Sequence, residues 1–281
     1  MNIVVCIKQV PDTSEVRIDP RTNNLMREGV PSILNPYDEN GMELALSLRE
    51  RHGGTVTAVS MGPPQAAQAL ERCLRMGADD AVLLCDRRVG GSDTLATGYA
   101  LSELIRRMDY DLVVCGLEAI DGCTAQVGPS IAENLGIVQY TYVTALEVDG
   151  RTLKVRRDAG KEIEHYEAAL PALVCVLKSI NTPRRGGDTD RTVRTVNADD
   201  LGLDTARIGN AGSPTRVVKI RVSSARAKSY VEIDDSLDYE ARIQMIIDGG
   251  IARKKVNLWR GSPEEQARRL VAEPMLMRHL A

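Results

Sequence analysis

Two short runs of this chain carry residue types suited to holding a phosphate-bearing ligand. The first is Gly90-Gly91-Ser92-Asp93-Thr94-Leu95-Ala96-Thr97. Its two glycines let a ligand approach the backbone closely. The helix start behind them offers free N–H groups, a partial positive charge and three hydroxyls. An ordinary capped helix start has the same composition, so this run alone leaves both readings open. The second run is Gly116-Leu117-Glu118-Ala119-Ile120-Asp121-Gly122-Cys123-Thr124-Ala125-Gln126-Val127-Gly128-Pro129. Here Gly122 permits a tight turn, Thr124 and Gln126 can donate side-chain hydrogen bonds, and Asp121 suits ribose hydroxyls or capping equally. Two helix ends converging on one edge fit a ligand with a diphosphate.

Other chemistries find little to work with. The stretch from Cys6 to Asp12 lacks GxGxxG, and no GxxxxGK[ST] occurs, which removes Rossmann-type NAD binding and P-loop ATP chemistry. His52, His165 and His279 fall at a helix end, in a hairpin and at the C-terminus, and read as surface residues. No paired carboxylates or Ser/Cys–His arrangement stand out. The six cysteines form no CxxC pair and mostly sit in apolar runs, so they read as small core residues rather than zinc ligands. The residue set favours binding over bond-breaking, with no catalytic or metal residue.

The elements that must position these runs follow from hydrophobic patterning. Strands are expected at Ile3 to Ile7, Thr55 to Met61, Ala81 to Cys85 and Leu112 to Cys115. Helices are expected from about Glu39 to Arg51, Gln65 to Met76, Thr94 to Met108, and up to Leu135. Alternation of this kind predicts an α/β fold with a doubly wound, mostly parallel sheet. Ligands then bind beyond the carboxyl ends of the strands, where the winding reverses. After Gly136 the pattern becomes a β-hairpin, Val143 to Val148 and Leu153 to Arg157, with Asp149-Gly150 as a type I′ turn. Glu162 to Ala168 adds a short strand, and Leu173 to Leu177 is expected to rejoin the main sheet. Three regions result. Residues 1–180 form the α/β domain with its 143–168 hairpin, 181–236 an extended arm that packs on a partner, and 237–281 a helical tail.

Composition narrows the classes further. Hydrophobic residues make up 43% of the 281 and aromatics only 3%, with no Phe, so the core must be aliphatic. A formal net charge of -3 supplies no basic excess for nucleic acid. No run of ~18 apolar residues is present to span a membrane. The N-terminus leads straight into a strand pattern, so no signal peptide is expected, and the setting reads as cytoplasmic and reducing.

Asn2 to Thr13 (NIVVCIKQVPDT), Ile18-Asp19-Pro20, Asn35-Pro36-Tyr37-Asp38, Met61-Gly62-Pro63-Pro64 and Ala119-Ile120-Asp121-Gly122 with Thr124 to Pro129 carry a family resemblance. Over about residues 1 to 220 the chain closely resembles the electron-transfer flavoprotein β subunit. That resemblance implies a domain related to adenine-nucleotide-binding hydrolases, in a heterodimer whose α subunit holds a redox FAD. It also implies a dehydrogenase, reductase or quinone-linked redox partner. Ordinary members hold AMP in the β subunit. Electron-bifurcating members hold a second FAD there, which takes a hydride from NADH. Asp86-Arg87 and Gly90 to Thr97 are similar to the bifurcating type, so FAD is expected and AMP is the alternative. Carried over by position, the adenylate end would use Cys6, Asn35, Asp38, Met61, Asp121, Thr124, Gln126, Val127 and Gly128. The flavin end would use Gly90, Gly91, Ser92, Asp93, Thr94 and Thr97. Their role would be to hold a cofactor and tune its potential.

Three departures stand out. Cys123 replaces an acid frequent in relatives. Tyr166 and Gly160-Lys161 depart from the family signature before Leu170. After Asn181-Thr182-Pro183-Arg184, the run Arg185 to Arg191 lacks the leucine with which relatives dock an acyl-CoA dehydrogenase. A different redox partner is therefore expected. Two rivals from other classes are an ATP-pyrophosphatase-like enzyme and a nucleotide-sensing stress module. Val89 to Thr94 echoes the SGGxDS loop of the former, but follows the third strand instead of the first.

Overall fold

The structure is a computed structural model that describes residues 1–12, 32–216, 236–247 and 261–272. Ile18-Asp19-Pro20 and positions 217–235 of the expected arm lie outside those residues. The chain divides into two compact units, Met1–Ile220 and Arg221–Ala281.

In the first unit the order is β1 (Ile3–Cys6), β2 (Gln9–Pro11), β3 (Ser32–Leu34), α1 (Pro36–His52), β4 (Val56–Met61), α2 (Ala67–Met76), β5 (Asp80–Leu84), α3 (Thr94–Ile105), β6 (Leu112–Gly116) and α4 (Val127–Leu135). Then come β7 (Val138–Asp149), β8 (Thr152–Asp158), β9 (Ile163–Ala169), β10 (Ala172–Val176) and β11 (Arg194–Val196). The main sheet runs β11-β5-β4-β1-β6-β10-β7-β8-β9, while β2 and β3 pair separately. From β11 to the first half of β7 the neighbours are parallel, and β7-β8-β9 are antiparallel. This is the expected doubly wound α/β sheet.

Alternation along the strands decides which helix covers which face. Ile3, Val5, Val56, Leu112 and Val114 pack with the apolar sides of α1 and α2. Val4, Cys6, Val59, Val113 and Cys115 pack with α3 and α4. Both faces are buried, so β1 reads as an unbroken apolar run, Ile-Val-Val-Cys. Helix α1 starts three residues earlier than expected, because Asn35 stands at the N-cap with Pro36 directly after it. The second unit contains α5 (Tyr239–Ile247) and α6 (Pro263–Ala272). No helix among the described residues is long and apolar enough to cross a membrane.

Three details differ from the sequence reading. The pairing of Asp149 with Thr152 leaves Gly150-Arg151 as the turn, and of these only Gly150 has positive φ, at 57°. That is the type II′ pattern instead of I′, with Gly at the first central position. Strand β7 begins at Val138, because its first half pairs with β10 before its second half joins the hairpin. Finally, residues 181–216 lie on the chain's own domain. Arg184 pairs with Glu43 at 2.8 Å, β11 extends the sheet beside β5, and Ala198, Leu201, Leu203 and Ile208 are buried. Their apolar residues follow no helical or strand period, which hid this packing from the sequence.

Candidate functional site

Strand β1 lies between β4 and β6, so the chain winds away from it in both directions. Sheets of this kind place their ligand crevice at such a reversal, here between the loops after β1 and β6, with α1 on one face of the sheet and α4 on the other.

The start of α1 builds the crevice floor. The Lys8 N–H donates to Asp38 Oδ2 at 2.8 Å, and the Asn35 N–H donates to the Lys8 carbonyl at 2.9 Å. Across the crevice, Asn35 Nδ2 donates to the Glu118 carbonyl at 2.9 Å and its Oδ1 accepts the Ile120 N–H at 3.3 Å. Two side chains from one helix start thus latch both loops. They are only 1% and 6% exposed for Asn35 and Asp38. Burial pushes the Asp38 carboxyl up to about 7, against the opposing pull of Asn35, the Lys8 and Gly116 amides, and the Lys8 charge. Gly116 is needed for this contact. A Cβ there would lie 2.2 Å from Asp38 Oδ1 and 2.7 Å from Tyr37 Cβ.

The second run turns tightly after β6, with the Gly122 and Cys123 N–H groups both donating to the Ala119 carbonyl. Cys123 and Ala125 take positive φ values of 50° and 53°. Asp121 faces Lys8, whose Nζ is 2.6 Å from Asp121 Oδ1. The Asp121 side chain is 6% exposed against 41% for Lys8, so the acid lies beneath the cation. Helix α4 has no side-chain cap, since Gln126 at its N-cap directs Oε1 to the Thr94 hydroxyl, which donates to it at 2.8 Å. Gly128 brings α4 against the sheet. A Cβ there would lie 2.3 Å from Cys175 Sγ, in a row where Cys6, Cys115 and Cys175 share one register. Cys6 is buried in that row, Met61 and Val127 are partly buried beside it, and Thr124 is exposed.

The first run is largely engaged by its own chain. Gly91, at φ 78°, packs against Asn210. Ser92 Oγ donates to the Val89 carbonyl and accepts the Gly209 N–H, both at 2.8 Å. One Asp93 carboxylate oxygen caps α3 by accepting the Leu95 and Ala96 N–H groups, and the other accepts from Thr215. The Asp93 N–H donates to Ser213 Oγ at 2.8 Å. Gly90 is exposed, and its N–H donates to the Arg87 carbonyl. For Asp93 capping is the role observed. Thr94 is the residue that reaches the second run, with Thr97 partly buried one turn on and Leu95 53% exposed. Nearby, Arg88 grips Asp86 and Asp199, holding the Asp86 carboxyl well below the usual carboxylate range through hydrogen bonds.

The structure thus joins Asn35, Asp38, Asp121 and Gly128 around one crevice and ties Gln126 to Thr94 across the two helix starts. Sequence reasoning missed Lys8, although a cation directly after β1 is a usable signal. It also missed Asn210, Ser213 and Thr215, whose separation from residue 93 leaves no local trace. The uncapped start of α4, the close approach at Gly128 and the Lys8 ammonium fit an anionic nucleotide.

The model of the electron transfer flavoprotein domain matches residues 22–201. The chain is 50% identical over 252 residues to the electron transfer flavoprotein subunit beta of Clostridium acetobutylicum, covering 88% of this chain and 96% of that one. It is 45% identical over 251 residues to protein FixA of Azorhizobium caulinodans, covering 84% and 89%. To the caffeyl-CoA reductase-Etf complex subunit CarD of Acetobacterium woodii it is 45% identical over 227 residues, covering 78% and 87%. This chain belongs to the electron transfer flavoprotein family, among its β subunits.

Proposed function

We propose that this chain is the β subunit of an electron-bifurcating flavoprotein, with FAD along the crevice and an α subunit as its partner. The observation that carries this reading is the Thr94–Gln126 hydrogen bond, 2.8 Å long. It joins the starts of α3 and α4, so that ligand contacts can continue from one helix start to the other. The adenylate would sit over Asn35, Asp38, Cys6 and Met61, with its diphosphate at Val127 and Gly128. The flavin end would lie toward Thr94 and Thr97. When bound, the flavin supplies two-electron acceptance from NADH and onward single-electron transfer. The chain's residues hold and orient it and surround it with fixed dipoles. The likeness to a subunit of a reductase-Etf complex supports this reading.

One observation favours AMP instead. Gly91 to Asp93 are occupied by residues 209–215, which leaves fewer donors for a flavin ring. Denaturing the purified complex with its α subunit and counting released nucleotides separates the two. Two FAD per heterodimer are expected, one FAD with one AMP supports the second reading, and a single FAD with no other nucleotide removes both.

The redox partner is proposed to dock on residues 185–191. Arg184 is clamped by Glu43 and Glu50, the Gly187 N–H donates to the Arg75 carbonyl and Arg191 pairs with Asp79, so the segment is held along the domain surface with 187–191 exposed. Crosslinking from Asp188 is expected to capture the electron acceptor. Capture only from the opposite end of the sheet would exclude this docking site.

A further inference from the structure

We propose that Lys8 is the cationic ligand of the nucleotide's phosphate, and that Asp121 holds its ammonium in place instead of binding ribose. This rests on the crevice being a nucleotide site. The Lys8 backbone is fixed on both sides, its N–H by Asp38 Oδ2 and its carbonyl by the Asn35 N–H. The side chain therefore leaves the floor of the crevice from a fixed point. Its Nζ lies 2.6 Å from Asp121 Oδ1 and 4.0 Å from where a Cβ on Gly122 would stand, over the turn that leads into α4. Of the pair, the acid is covered and the cation is not. An ammonium has three N–H donors, and Asp121 Oδ1 takes one of them. Among the described residues no other acceptor meets it, which leaves two donors for an anion that also meets the uncapped amides of α4.

The plainer alternative is a salt bridge that only ties the β1 loop to the β6 loop. The two roles differ in which ligand suffers when Lys8 is changed. A tie that breaks displaces the whole loop and weakens adenosine and AMP alike. A phosphate ligand matters only to AMP.

Calorimetric titration of AMP and of adenosine into the full chain, freed of copurifying nucleotide, tests this with wild type, Lys8→Met and Lys8→Arg. Lys8→Met is expected to weaken AMP about tenfold at low salt, the loss of one charge-assisted contact near the surface. Adenosine affinity should hold, and Lys8→Arg should retain most AMP affinity. The salt dependence of AMP binding should also be shallower in Lys8→Met. Equal losses for both ligands, or no loss for either, would overturn the proposal while leaving the crevice a nucleotide site. Wild type that binds neither ligand would remove the nucleotide reading itself. Should Lys8→Met fail to fold, wild type at rising ionic strength decides. AMP affinity should fall toward that of adenosine, and an AMP affinity indifferent to salt would refute the role.

Discussion

Gly116→Ala is expected to destabilise the first unit by about 3 kcal/mol and to abolish nucleotide retention. The added methyl would stand 2.2 Å from Asp38 Oδ1, 2.7 Å from Tyr37 Cβ and 2.8 Å from the Tyr37 carbonyl carbon. None of these can swing aside cheaply. The Tyr37 atoms belong to the first turn of α1, and the Asp38 carboxylate is held by the Lys8 N–H. Moving Asp38 would also strand a buried carboxyl without its donors, which itself costs about 1–3 kcal/mol. Gly122→Ala is the control. Its nearest neighbour would be Lys8 Nζ at 4.0 Å, so the change should stay within about 0.5 kcal/mol. Urea unfolding of both variants reads this difference directly. Equal midpoints would show that the floor of the crevice yields, and the latch drawn around Asp38 would fall.

Asp38→Asn is expected to remove a large pH dependence of stability. The folded Asp38 carboxyl is pushed up to about 7 by burial, well above its ordinary value. Between about pH 4 and pH 7 the folded chain therefore holds a proton that the unfolded chain has released. Stability contributed by the neutral acid is complete at the acid end and declines as pH rises toward 7, then levels off. Each pH step of one over which only the folded chain keeps that proton is worth roughly 1.4 kcal/mol, so the whole decline is on the order of 4 kcal/mol at most. Asparagine stays neutral throughout and still offers one oxygen to the Lys8 or Gly116 amide. Relative to wild type, Asp38→Asn should thus gain stability steadily from pH 4.5 to pH 7.5. Carboxyls held low, such as Asp86 beside Arg88 and Glu50 beside Arg184, slope the opposite way in acid. They are common to both proteins and cancel in the difference. Parallel profiles for the two proteins would mean that Asp38 is ionised in the fold.

The same residues show where sequence reasoning succeeds. Ile3 to Cys6, Val56 to Met61 and Leu112 to Gly116 announce themselves as strands because burial on both faces demands unbroken aliphatic runs. Strand–helix alternation then implies the winding, and the winding implies a crevice beside β1. Local chemistry also supports Asp93 as the cap of α3. All of these depend on neighbours within a few residues or on a repeating period.

What the tertiary structure decided has the opposite character. Asp121 meets Lys8 across 113 residues, and Asp93 meets Thr215 across 122. An acid in a loop looks the same in sequence whether water, ribose or a distant lysine faces it. The return of residues 181–216 onto the domain was equally silent. Arg184, Ala198 and Ile208 act singly, each against a surface built from far along the chain. Backbone periodicity named the elements of the crevice, but only folding determined which of its polar groups are already paired and which still face outward.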